Sequence, residues 1–309
     1  MQNLKGKTAF ITGGASGIGL GIAGALQRAG MQIVIADIRQ DHLDAALPVL
    51  AGGDVLALPL DITDRQAFAR AADAAENRFG KIHALVNNAG VAAMGPVELA
   101  SYGDWDWTMG VNLGGTINGI VTILPRILAH GEGGHIVCTA SMSGLVPHPG
   151  AAIYAAGKAG VIGLMEAMRG ELEPKGVICS AFCPGAVQSN IAKAQETRPA
   201  IHADTGYAES DKRRQQGDDH SHLYMTAEEA GERVREGMER DELFILTHRE
   251  FLPGVRARAD AMVAAVPDRA ENVEYKRIFE RLFHNPVHDD EQRRQAAKDM
   301  TTDCRKRSD

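Results

Sequence analysis

Short apolar runs alternate with longer amphipathic stretches from residue 7 to about residue 185. The runs Thr8–Thr12, Ile33–Asp37, Val55–Leu58, Ala84–Val86, His135–Thr139 and Ile178–Cys183 are almost continuously apolar. A strand with one wet face alternates with a period of two, so runs without alternation point to parallel strands covered on both faces. Between them, Gly19–Arg28, Arg65–Phe79 and Val161–Glu173 carry apolar residues at helical spacing. Strand and helix repeated in this way predict an α/β fold, a doubly wound parallel sheet with helices on both faces. Right-handed crossovers narrow the topology further.

The rhythm breaks after Ser189. Residues 190–225 are polar and include Glu196-Thr197-Arg198-Pro199 and Asp211-Lys212-Arg213-Arg214. A segment of this length without periodicity is a functional lid or is disordered, and we place a substrate lid at about 188–225. Periodicity returns with a helix near Thr226–Glu239 and a seventh strand at Leu243–Leu246. Helical patterns follow near Val255–Val266 and Glu274–Phe283, and the charged tail from His288 is expected to fray. The expected organisation is one domain: a sheet domain over 1–250 that includes the lid, and its C-terminal helical extension over 251–309.

Composition removes several classes. Of 309 residues, 44% are hydrophobic and 24% charged, an ordinary globular balance. The net charge of −7 argues against nucleic acid and anionic membrane as partners, because both need a basic face. No stretch approaches the roughly 20 apolar residues of a membrane span, and no signal-peptide core precedes the first strand. None of the four cysteines forms a C-x-x-C pair, and Cys138, Cys179 and Cys183 sit in apolar runs, so the expected setting is reducing and cytoplasmic. There is no H-E-x-x-H among the 11 histidines, and Asp218-Asp219-His220-Ser221-His222 reads as a solvated loop; no metal is expected.

Between the first strand and the first helix lies Thr12-Gly13-Gly14-Ala15-Ser16-Gly17-Ile18-Gly19. Glycines there allow a tight turn and close approach of backbone to a pyrophosphate, which the helix N-terminus then receives. Asp37 closes the second strand about 20 residues on, where a carboxylate accepts from ribose hydroxyls and repels a 2′-phosphate. This favours NAD(H) over NADP(H), with Arg39 as the counter-indication, since a guanidinium could bind that phosphate.

Tyr154 and Lys158 fall at i and i+4 on a predicted helix, hence on one face. Ser141 lies just past the strand His135–Thr139, at the kind of strand end where open α/β sheets place their sites. The glycine loop, Asn87-Asn88-Ala89-Gly90, Asn112, Ser141, Tyr154, Lys158 and Pro184-Gly185 together resemble the ordered motif set of the short-chain dehydrogenase/reductase family, over roughly residues 5 to 190. The resemblance implies a seven-stranded Rossmann-type sheet. It implies Tyr154 as acid/base, with Lys158 and the nicotinamide charge lowering its pKa. Ser141 would orient the substrate oxygen, Lys158 would hold the nicotinamide ribose, and Asn112 would anchor a relay water. Cofactor contacts are implied for Gly13, Ser16, Gly17, Ile18, Gly19, Asp37, Ile38, Asp61, Ile62, Asn88, Ala89, Gly90, Pro184, Gly185, Val187 and Ser189, besides Tyr154 and Lys158. Ser189 departs from the threonine usual at its position.

A second resemblance, carried by Ser189-Asn190-Ile191-Ala192, Arg198-Pro199 and Gly206-Tyr207, is to bacterial Cα-dehydrogenases of lignin-derived aryl ethers. It implies a bulky hydrophobic or aromatic secondary alcohol, or its ketone, as the small-molecule partner, with Met94, Leu145, Val146, Gln188 and Tyr207 as candidate pocket walls. Tyr102, Trp105 and Trp107 read as packing or subunit contact, and His148 as a loop residue or site border. The long C-terminus departs from the commonest family ending, so a homodimer through the Asn112 and Tyr154 helices is expected ahead of a tetramer. Two rivals stay open: an NADPH-dependent carbonyl reductase using Arg39, and a catalytically silent nucleotide-binding protein. Intact Ser141, Tyr154 and Lys158 speak against the second.

Overall fold

The computed structural model describes residues 1, 3–210 and 220–306. In chain order the sheet and its first crossovers are β1 (Thr8–Thr12), α1 (Gly17–Arg28), β2 (Gln32–Asp37), α2 (Gln40–Val49), β3 (Val55–Pro59), α3 (Arg65–Phe79) and β4 (Ala84–Asn87). Next come α4 (Tyr102–Met109), a π-helical turn at Gly110–Gly115, α5 (Thr116–His130), β5 (Gly134–Thr139), the short α6 (Met142–Leu145), α7 (Ala152–Leu172) and β6 (Val177–Cys183). The chain closes with α8 (Ala227–Glu239), β7 (Phe244–Leu246), α9 (Leu252–Ala264), α10 (Val273–Ile278), α11 (Glu280–Phe283) and α12 (Pro286–Lys306). The seven strands are all parallel in the order β3-β2-β1-β4-β5-β6-β7.

The apolar runs become the central strands because each buries both faces. Every residue of β1, β4 and β5 is buried. One core layer holds Phe10, Val34, Phe68, Ile123 and Ile136, and the other holds Ile11, Ile33, Ile22, Leu26 and Ile245. The order reverses between β1 and β4, so the crevice beyond their carboxyl ends is where a ligand site is expected.

Three expectations need correction. The charged tail from His288 does not fray along its described length. Its helix α12 buries Val287, and buried Glu291 accepts the backbone N–H of Leu243 at 2.9 Å. Its charges are partners for the sheet edge, which charge density alone could not reveal. The lid is not structureless either: its described part winds into 3₁₀ turns at Ile191–Thr197, Ala200–His202 and Ser221–Leu223. Asp211-Lys212-Arg213-Arg214 and Asp218-Asp219 lie outside the described residues. Third, Tyr102–His130 runs as one helix of 29 residues with a mean hydropathy of 1.2 over its most apolar window, long and apolar enough by those measures to cross a membrane. Its inner face, including Ile120, Ile123 and Ile127, packs on the sheet.

Candidate active site

A cavity of about 390 Å³ lies along the carboxyl ends of the strands. Its floor begins at the loop after β1. Gly13 has a φ of +59°, and a Cβ there would stand 2.9 Å from Ala89 Cα, so only glycine fits. Gly19 lies outside the lining; a Cβ on it would meet Gly13 O at 1.9 Å, so its bareness serves the seating of α1 on the loop. Thr12 Oγ1 accepts the N–H groups of Asn88 and Ala89 at 3.0 and 3.1 Å, and Asn88 Nδ2 donates to Thr12 O and Gly13 O. Two strand ends are thereby pinned together beneath the opening. The first turn of α1 carries no acidic residue, and Ser16 makes no capping bond. Its leading N–H groups are thus the donors an anion would use.

At the far end, Asp37 is buried, lines the cavity and accepts the N–H of Arg39 at 3.1 Å. The Arg39 guanidinium is engaged at all three of its nitrogens. It donates to both carboxylate oxygens of Asp41, at 3.0 and 2.7 Å, and to Glu196 of the lid. This guanidinium holds the Asp41 carboxyl down at about 2. Asp61 and Ile62 also line the cavity, with the Asp61 carboxylate turned back on Thr63 at 2.7 Å.

At the near end, α7 presents Tyr154 and Lys158, both buried and both lining the cavity. Lys158 Nζ donates to Thr139 O at 2.7 Å and stands 5.7 Å from the Tyr154 ring centroid. Burial pulls the Lys158 ammonium down to about 8. Burial pushes the Tyr154 phenol above its ordinary value, while a hydrogen bond with the Ser141 side chain pulls the other way. Ser141 caps α6, its Oγ accepting Ser143 N–H at 3.0 Å, so it is fixed beside the phenol rather than in the main cavity. Asn112 sits on the π-helical turn, behind the lining. Its amide pairs with both backbone groups of Val91 at 2.9 Å. A methyl group on Gly90 would lie 3.1 Å from Asn112 Oδ1 and 3.3 Å from Lys158 Nζ, which measures how closely the three meet.

Among the remaining cofactor candidates, Gly13, Ser16, Gly17, Ile18, Ile38, Asn88, Ala89, Gly90, Pro184 and Ser189 line the cavity. Gly185 and Val187 do not. Gly185 N–H donates to Thr247 Oγ1 at 2.9 Å under His248 and Phe251, and Val187 is buried in a β-bridge to Met225. None of the expected pocket walls faces the cavity. Tyr207 is buried against Gly95 in a cluster with Trp107 and Ile153. Leu145 and Val146 pack on the sheet core, Gln188 is bonded to Met225 and Ser221, and Met94 is half-buried. The lid folds inward, so its aromatic residue becomes core.

In their place the cavity takes Asp106, Trp107 and Val111 from the α4 side, and Ile191, Glu196 and His202 from the lid. The lid is held by buried Asp104, which accepts from Arg198 at 2.8 Å, Thr205 Oγ1 at 2.7 Å and Gly206 N–H at 3.0 Å. Burial alone would raise this carboxyl; the bonds from Thr205, Ser101, Arg198 and Gly206 outweigh it and hold it low. The Arg198 guanidinium lies 5.0 Å above the Trp107 ring. Trp107 is therefore packing and cavity wall at once. Tyr102 is exposed, and the His148 ring bonds Pro149 O at 3.0 Å. At the opposite end of the sheet, the ligand atoms of His83, His130 and Glu132 gather within 4.8 Å. Their ring nitrogens are already paired with Thr8, Glu132 and Ile82.

The donor set suits a dinucleotide: an uncapped helix start, a carboxylate where a ribose would lie, and a phenol–lysine pair at the other end. Comparison with known proteins agrees. The family model for short chain dehydrogenases matches residues 7–200. The C alpha-dehydrogenase of a Sphingobium strain is 39% identical over 269 residues, 86% of this chain and 88% of that protein. A short-chain dehydrogenase/reductase from Burkholderia phymatum, in complex with NAD, superposes with a TM-score of 0.81 at 32% identity, covering 88% of this chain and 99% of that one. The apo form of LigD from Sphingobium gives 0.71 at 35% identity, covering 86% and 100%.

Proposed function

The chain belongs to the short-chain dehydrogenase/reductase family, and from that premise we propose that it is an NAD(H)-dependent enzyme interconverting a secondary alcohol and a ketone. The observation that carries this reading is the meeting of Tyr154 and Lys158, with Ser141 bonded to the phenol, at one end of a cavity whose other end is lined by Asp37. The nicotinamide, when bound, supplies the hydride acceptor and a positive charge. Tyr154 takes the proton of the alcohol during oxidation and returns it during reduction. Lys158 favours the phenolate by its charge, against the burial that disfavours it. Ser141 donates to the substrate oxygen and fixes its direction. Asn112 is assigned, as the family resemblance implies, to anchoring a water that relays protons by way of Lys158.

NAD(H) is favoured over NADP(H) because Asp37 faces the cavity and Arg39, the group a 2′-phosphate would seek, is already paired with two carboxylates. The substrate class is a bulky hydrophobic or aromatic secondary alcohol, supported by the relative named as a C alpha-dehydrogenase and by Trp107 and Ile191 in the wall. Residues 251–309 are proposed as a helical extension of the same domain, and the assembly as a homodimer. A panel of aryl and alkyl secondary alcohols with NAD⁺ tests the assignment through NADH absorbance. Aryl carbinols should be the better substrates. Failure to oxidise any alcohol or reduce any ketone with either dinucleotide would refute it.

A further inference from the structure

The 3₁₀ turn Ile191–Thr197 of the lid reaches the loop after β2, and the contact is a charged one. Arg39 has one fork edge filled locally by Asp41. Its remaining terminal nitrogen, Nη1, is taken by Glu196 of the lid, 157 residues on in the sequence. Its backbone N–H is held by Asp37. One guanidinium thus stands between two carboxylates, one from its own loop and one from the lid.

We propose that Glu196 is a cofactor-selectivity residue: by occupying Arg39, it denies the 2′-phosphate of NADP(H) the cation that would otherwise receive it. Arginine binds phosphate through its planar fork, which needs a free edge. Asp41 occupies one edge in any position of the lid. Glu196 occupies the other only with the lid seated, so discrimination is coupled to lid position. Asp37 repels the phosphate directly, whereas Glu196 acts through Arg39 and is a positioning residue. Glu196 and Asp41 are about half exposed or more, with Arg39 less so, so the pairing is screened by solvent and salt. Its loss should therefore shift selectivity by a modest factor without reversing it.

The inference rests on the cofactor reading above. The test is fluorescence titration of NADH and NADPH into the wild-type protein, Glu196→Gln, Glu196→Asp and the double variant Glu196→Gln with Arg39→Ala. Glu196→Gln should lower the NADPH-to-NADH ratio of Kd by about fivefold to tenfold, more at low salt. Glu196→Asp should retain most of the discrimination, and the double variant should lose the gain. A ratio within about twofold of wild type in Glu196→Gln, or a gain that persists without Arg39, overturns the proposal. A wild-type protein that binds neither dinucleotide overturns the cofactor reading instead, and that result is distinct because it needs no variant.

Discussion

Lys158 carries its charge where charge is disfavoured. Buried and bonded to Thr139 O, its folded pKa is about 8, against 10.5 for the free side chain. Below about pH 8 both folded and unfolded chains hold the proton, and the burial cost is felt in full. Between 8 and 10.5 the unfolded chain keeps a proton that the folded one has lost, so this site's contribution to stability rises with pH. Lys158→Met should therefore stabilise the protein at about pH 7 by on the order of 3 kcal/mol, less about 1 kcal/mol for the lost Thr139 bond. That advantage should shrink towards about pH 10, as urea unfolding at the two pH values would show. A pH-independent difference would mean that lysine packing, not charge, sets the effect. Tyr154→Phe separates chemistry from binding: turnover should fall by about 10³-fold while the Kd for NADH barely moves. Rate and titration together check it. Both residues were legible in the sequence because an i, i+4 pair declares its own geometry. Tyr207 was not, since whether a lid tyrosine faces ligand or core depends on Gly95 and Trp107, which are remote in sequence.

Elements divide in the same way. The seven strands fall within about a residue of the apolar runs, and the five inner ones do so because strands buried on both faces tolerate little else. The π-helical turn at Gly110–Gly115, which turns Asn112 towards Val91, left no periodic signature. Nor did the docking of α12, whose buried Glu291 looks like any other charge in a polar stretch. The C-terminal extension also reaches the active site unannounced. From α9, Arg258 donates to the carbonyls of Gly144 and Leu145 at 3.1 and 2.8 Å, and so braces the turn that begins at Ser141. Arg258→Ala should free that turn. The expected result is a fall in kcat of about tenfold, since small misplacement of an orienting hydroxyl is costly, with NADH affinity unchanged. Equal losses in kcat and NADH binding would point to a general loosening of the fold instead.

For the whole molecule, the proposed dimer gives meaning to an otherwise costly surface. The outward side of α7 presents Ala152, Ala156, Ala159, Gly163 and Ala167, all exposed, and α5 exposes Ile117 and Val121. A stripe of small side chains lets another helix approach closely, and a two-fold axis would set the same stripe against itself. Gly163 is the informative position. Within the subunit a Cβ there would meet nothing within 4 Å, so the fold itself does not require glycine. In a helix interior glycine costs about 1 kcal/mol relative to alanine, and most other residues cost less. Gly163→Arg should therefore leave the isolated subunit no less stable while blocking close helix approach. Light scattering should report a dimer for the wild type and a monomer for the variant, with far-ultraviolet circular dichroism unchanged. A second apolar surface exists on α10 and α11, where exposed Tyr275, Phe279 and Phe283 gather with ring centroids 4.7 and 5.6 Å apart. A Gly163→Arg protein that stays dimeric would move the subunit contact away from α7 and make that aromatic surface the next to substitute.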